Sequence, residues 1–183
     1  MPPPIIFVVA IAIGALAFWY AKQAQASIDT GAGSASSSSP PPASPASSWT
    51  PPARAQPYLG AIAEAETRYG LPHNLLARQL YQESRYRADI ISGATPSAAG
   101  ALGIAQFIPA TAAQFGLDPT DPFASIDAAA RYDRQLFDQF GSWDQVLAAY
   151  NWGEGKVRDR GLAAAPAETV AYYTGILGDL GIA

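Results

Sequence analysis

The hydrophobic pattern divides the chain into three stretches of different character. The first, PIIFVVAIAIGALAFWYA, carries no charged side chain from Pro2 to Ala21. About 17 apolar residues rise roughly 25 Å as a helix, the short end of what spans a bilayer. Phe18, Trp19 and Tyr20 close the run as interfacial aromatics close a membrane helix. Ala24-Gln25-Ala26 has the form of a signal cleavage site, but the apolar run is long and no Lys or Arg precedes it. Residues 1–26 therefore read as a retained anchor first and a cleaved signal second, with residues 5–21 in the lipid bilayer. Lys22 alone follows the run, so charge bias gives little orientation.

From Ser27 to Pro57 the periodicity disappears. SASSSSPPPASPASS and TPPARAQP have almost nothing to bury and cannot offset their own ordering entropy. Residues 27–57 are expected to be a Ser/Pro-rich flexible linker.

Residues 58–183 carry helical periodicity nearly throughout. Tyr58 to Tyr69 predicts a short helix stopped by Gly70 and Pro72. A second helix begins near Pro72 or His73 and places Leu76, Leu80 and Glu83 on one face at i, i+4, i+7. Asp121-Pro122 is an N-cap followed by proline at the first helical position. The helix it opens sets Ile126, Ala129, Ala130, Leu136, Phe137 and Phe140 mostly on one face, and Gly141 ends it. Ser142 with Gln145 predicts a capping box for the next helix, striped by Trp143, Val146, Leu147 and Tyr150. A last helix begins near Pro166 and carries Val170, Tyr173 and Leu177. Between the second helix and Asp121 a Gly/Ala/Ser-rich region has room for a small hairpin and a short helix. The expected fold is mostly α.

Composition removes several functions. The 183 residues include no cysteine and one histidine, so neither a disulfide framework nor a protein-built transition-metal site is expected. The net charge of -4 argues against nucleic acid as a partner.

Candidate chemistry lies in four short stretches. In YQESRYRAD, the face that buries two leucines delivers Glu83 toward the interior, where a carboxyl gains the raised pKa of a general acid. The plain alternative is a frayed helix end, with Glu83 paired to Arg85 or Arg87. In SAAGALGIAQF, Gly100 and Gly103 permit turns and close approach, and the Gln106 amide suits sugar hydroxyls and N-acetyl groups. A plain surface loop is the competing reading. In LAAYNWGEG, Tyr150 could be core and Asn151 a helix cap. In PAETVAYYTGIL, Glu168 falls in a first helical turn, where the helix dipole favours a carboxylate, and Tyr172 could be core.

Taken in order, Glu-Ser at a helix end, S-x-x-G-A-x-G-I-x-Q, A-Y-N-x-G and P-x-E-T-x-x-Y resemble the lytic transglycosylase domain of the soluble-Slt type, in the lysozyme-like superfamily that cuts bacterial peptidoglycan. The resemblance covers essentially Tyr58 to Ala183. It implies a lysozyme-like α domain with a small β-hairpin, no metal and no cofactor. It makes Glu83 the sole catalytic acid and base, with Ser84 supporting the local backbone. Ser97, Gln106, Tyr150, Asn151 and Glu168 would bind substrate, Tyr150 by holding the catalytic carboxyl and Glu168 by facing the muramoyl side. Gly103 would shape the turn and Tyr172 would pack behind the site. Where the family commonly has Gly-Leu-Met-Gln, this chain has Gly103-Ile104-Ala105-Gln106, so the methionine's sugar contact is not carried over.

The implied reaction cleaves the β-1,4 bond between N-acetylmuramic acid and N-acetylglucosamine and leaves a 1,6-anhydromuramoyl end. Peptidoglycan glycan strands are the expected partner. A tethered enzyme of this kind, anchored in a virion membrane or a bacterial inner membrane and facing periplasmic peptidoglycan, fits phage entry or assembly of a secretion machine. Hydrolysis of the same bond, as in goose-type lysozymes, and non-catalytic glycan binding are the alternatives.

Overall fold

The computed structural model describes residues 49–182, and the expected anchor and most of the expected linker lie outside them. Within them the chain is helical. In chain order the helices are α1 (Leu59–Tyr69), α2 (Leu75–Ser84), α3 (Ala88–Ile91), α4 (Pro109–Phe115), α5 (Pro122–Phe140), α6 (Trp143–Trp152), α7 (Glu154–Arg160) and α8 (Ala167–Leu180). Short 3-10 turns at Ala53–Tyr58 and Leu162–Ala164 precede α1 and α8.

Local signals in the sequence set most of these boundaries. Asp121 caps α5 by accepting from the backbone N–H of Phe123 and Ala124, with Pro122 at the first position. Gly70 and Gly141 end α1 and α5 in the left-handed conformation. The start of α2 lies at Leu75 rather than at Pro72 or His73, because Asn74 is itself left-handed. Its cap comes from α1: the buried Glu66 carboxylate accepts from the N–H of Asn74, Leu76 and Ala77. Those are donors that a helix start leaves without partners. The expected capping box at α6 does not form. Ser142 Oγ donates to the Gln145 side chain at 3.0 Å and caps no backbone N–H.

Helix α6 is the centre of the packing. Val146 to Tyr150 are all fully buried, so this helix is apolar on more than one side. It contacts α5, α7 and α8, while α1 packs on α5 and α2 packs on α8. Most of its buried side chains join the main core, and Leu147 faces a smaller cluster with Leu75, Tyr172 and Ile176. That second cluster docks α8 across α2 and α6.

Two expectations change. The small hairpin reduces to one isolated antiparallel bridge, Leu102 with Phe107, and no strand is present among the described residues. The turn uses up the segment: Gly103 and Gln106 both have positive φ, and α4 begins at Pro109. At the other end, residues expected as linker pack on the domain. Ala55 is fully buried, and Trp49 lies against Tyr81 with ring centroids 6.1 Å apart and the Arg78 guanidinium over both rings.

Candidate active site

Glu83 sits in the last turn of α2, whose end is unusual. Arg85 and Tyr86 both take positive φ, at 54° and 52°. Two successive left-handed residues without glycine are strained, by roughly 1–3 kcal/mol each. Ser84 holds them. It is fully buried, donates through Oγ to the Leu80 carbonyl at 3.0 Å, and accepts from the Tyr86 N–H at 3.2 Å. Tyr86 turns inward and donates its hydroxyl to the Ala77 carbonyl at 2.8 Å. The helix therefore stops sharply after Glu83 without fraying. The pairing of Glu83 with a neighbouring arginine is absent: Arg87 binds Asp89 at 2.6 Å and Arg85 lies over the Tyr81 ring.

The Glu83 carboxyl accepts a hydrogen bond from the Tyr172 hydroxyl at 2.5 Å. Burial pushes its pKa up to about 7, and the Tyr172 bond pulls the other way by favouring the charged form. Desolvation wins. The result is a carboxyl that exists in both protonation states near neutrality, the property a group needs to give and then take a proton.

Tyr150 was the side chain expected to hold this carboxyl. It does not. Its hydroxyl donates instead to the Ala105 carbonyl at 2.9 Å, pinning the 103–106 turn to α6. It remains close: burial raises the Tyr150 pKa first, and the negative charge of Glu83 adds to that. Tyr172, expected behind the site, makes the direct bond. Ala105 is fully buried, so it offers no side-chain contact to a ligand.

The other expected residues fall as follows. Gln106 donates its amide to the Gly103 carbonyl at 2.9 Å, which closes the turn from within. Gly103 has φ +78°, and a Cβ there would lie 1.7 Å from the Pro119 carbonyl oxygen. Ser97 accepts from the Ala101 N–H at 2.9 Å and closes the preceding loop. Asn151, in the last turn of α6, accepts from the buried Thr169 hydroxyl at 2.8 Å. That bond joins the end of α6 to the first turn of α8. Glu168 stands in the same turn, four residues before Tyr172 and so on the same face.

Three carboxylates that could have served as the second acid of the usual two-acid arrangement are committed to other side chains. Asp89 is bound by Arg87 and Thr95, Asp118 by Thr120, and Glu154 by Arg158. An apolar groove of about 550 Å³ lined by Phe137, Trp143, Tyr173 and Leu177 lies elsewhere and contains none of the expected site residues. Among the described residues no His, Asp and Glu group could hold a metal ion.

Three polar residues were not foreseen. Gln79 and Asp133 are fully buried and bonded to each other, and Thr169 anchors Asn151. Gln79 precedes Glu83 by four residues, and Asp133 interrupts the apolar stripe of α5. Both patterns are visible in the sequence.

Residues 60–171 match the transglycosylase SLT domain family. The chain is 36% identical over 112 residues to membrane-bound lytic murein transglycosylase D of Escherichia coli, covering 57% of this chain and 24% of that protein. It is 33% identical over 107 residues to membrane-bound lytic murein transglycosylase F of Cellvibrio japonicus, covering 54% and 21%. It therefore spans about a quarter of the length of these relatives. Among solved structures, an inactive glutamate-to-glutamine mutant of lytic transglycosylase Slt from Pseudomonas aeruginosa shares the fold, with a TM-score of 0.55 and 22% identity over 67% of this chain and 23% of that one. With its matched region spanning α1 through the first half of α8, the chain belongs to the transglycosylase SLT domain family.

Proposed function

We propose that this protein is a peptidoglycan lytic transglycosylase in which Glu83 is both the acid and the base. One observation carries the reading: a single partly buried carboxyl, held by Tyr172 and poised near neutrality, in a domain of this family. Protonated Glu83 gives its proton to the glycosidic oxygen as the bond from the muramoyl C1 breaks. The resulting carboxylate takes the proton of the muramoyl C6 hydroxyl as that oxygen bonds to C1. The products are a 1,6-anhydromuramoyl end and a free N-acetylglucosamine hydroxyl. An internal hydroxyl held beside C1 replaces both water and a second enzymic carboxylate. Gln106, Ser97, Asn151 and Glu168 position the glycan, with Glu168 on the muramoyl side.

Mass spectrometry of fragments released from purified peptidoglycan tests this. Anhydromuramoyl ends from the wild type and none from Glu83→Gln are expected. Reducing ends would make the enzyme a hydrolase. Activity surviving in the variant would remove Glu83 from its role.

The same reading includes a tether. Residues 5–21 anchor the protein in a virion or bacterial inner membrane, and the catalytic domain opens periplasmic peptidoglycan locally, in phage entry or assembly of an envelope machine. The relatives' names, both of which include membrane-bound, and the apolar N-terminal run support it. Flotation of the full chain with liposomes, lost on removing residues 1–26, is the expected result.

A further inference from the structure

The buried polar chemistry does not stop at Glu83. One turn earlier on α2, Gln79 is fully buried, as is Asp133 within α5. Gln79 Nε2 donates to Asp133 Oδ1 at 3.2 Å. The other two oxygens, Gln79 Oε1 and Asp133 Oδ2, find no hydrogen-bond partner among the described residues. Buried acceptors left this way are costly, and a buried anion without a cation is costlier. The titratable groups near Asp133 are Glu83 of α2, Tyr150 of α6, Tyr172 of α8 and Tyr132 of its own helix, none of them cationic. On α1, which packs on α5, Arg68 is spent on Asp127 and Glu66 on the N–H groups of α2.

One proton answers both orphan atoms. Placed on Asp133 Oδ2, it turns an acceptor into a donor, and Gln79 Oε1 is the acceptor it needs. A carboxylic acid and a primary amide then pair through two parallel hydrogen bonds. Burial, the largest influence on Asp133, favours this neutral form and outweighs the Gln79 N–H bond, which favours the charged one, and the Glu83 charge adds to burial. Asp133 also shares its stripe with Ile126, Ala129 and Leu136, where an apolar side chain would pack without needing a partner.

We propose that Asp133 is a positioning residue for Glu83: as a neutral acid paired reciprocally with Gln79, it locks α5 to the face of α2 that presents Glu83. This rests on Glu83 being the reacting acid. Of the two neighbouring acids Glu83 and Asp133, only Glu83 then carries a charge, between its two proton transfers.

The test compares Asp133→Asn, Asp133→Leu and Glu83→Gln in the full chain, reading kcat, KM, the pH profile of peptidoglycan cleavage and unfolding midpoints across pH. Asparagine presents an N–H where the acid presents an O–H. The Asn variant is therefore expected to keep kcat near wild type, with the Glu83 limb of the profile unmoved. The Leu variant is expected to lose on the order of 10- to 100-fold in kcat with KM little changed. A limb that moves to lower pH in the Asn variant overturns the proposal, because it means a native charge on Asp133 was removed. So does a Leu variant with wild-type kcat and profile. Should the Leu variant not fold, stability decides: wild type is expected to lose stability more steeply than the Asn variant as pH rises above the ordinary aspartate range, and equal slopes overturn the proposal. An active Glu83→Gln variant would sink the catalytic reading instead, and the stability slopes would still report the state of Asp133.

Discussion

At the scale of single residues, function turns on how a carboxyl is kept neutral near pH 7. If Glu83 must be protonated to start the reaction, activity falls as pH rises through about 7. Tyr172 favours the ionised form, so Tyr172→Phe removes that pull and moves the falling limb upward. A charge-assisted hydrogen bond of about 1.5 kcal/mol corresponds to roughly one pH unit. Rates of anhydromuramoyl release measured from pH 4 to 9 in both proteins check the direction, and a downward shift refutes it. The spacing of Glu83 to Leu76 and Leu80 left it ambiguous between a buried acid and a frayed helix end, and only the combination with the three later motifs singled it out. Which tyrosine grips it was not legible in the sequence. Tyr150 and Tyr172 both sit on apolar stripes, and the choice depends on a carbonyl at Ala105, 45 residues from Tyr150, that claims one hydroxyl and leaves the other for Glu83.

At the scale of elements, the site depends on two abrupt chain reversals. Ser84 ties off α2 behind Glu83 with two buried hydrogen bonds. Ser84→Ala is expected to cost about 1–3 kcal/mol in chemical denaturation, because the Tyr86 N–H loses its partner. Activity should fall with it, since the strained residues that hold Glu83 in place relax. Gly103→Ala is harsher. A methyl overlapping the Pro119 carbonyl must push the 103–106 turn away and with it the carbonyl that binds Tyr150, at a cost on the order of 3 kcal/mol. A midpoint unchanged from wild type would show that the turn can shift freely. The existence of α1, α2, α5, α6 and α8 was readable because glycine stops, the Asp121 cap and 3.6-residue periodicity are local, whereas the short helices α3 and α7 were not read from the sequence. The missing hairpin was not readable, because four turn residues between Leu102 and Phe107 leave no length for strands. The cap of α2 escaped notice for a related reason: its donor-binding group, Glu66, belongs to the preceding helix.

At the scale of the whole molecule, three acids, the buried Glu66 and Asp133 and the partly buried Glu83, are pushed above their ordinary pKa, by desolvation first in each case. The folded state then binds more protons than the unfolded one, so stability falls as pH rises past the ordinary carboxyl values of 3.8 and 4.5. For Glu83 the loss is complete only above about 7. Glu83→Gln should therefore be inactive yet more stable than wild type at pH 8, by up to about 3 kcal/mol, with little difference at pH 4. Denaturant titrations at the two pH values measure it, and equal gains at both refute it. The grip on Glu83 also has a consequence in time. The hydroxyl that closes on it comes from α8, 89 residues later in the chain. A ribosome releases the acid long before it releases its partner. The bond to Glu83 is therefore completed only after α8 has been made and has docked across α2 and α6.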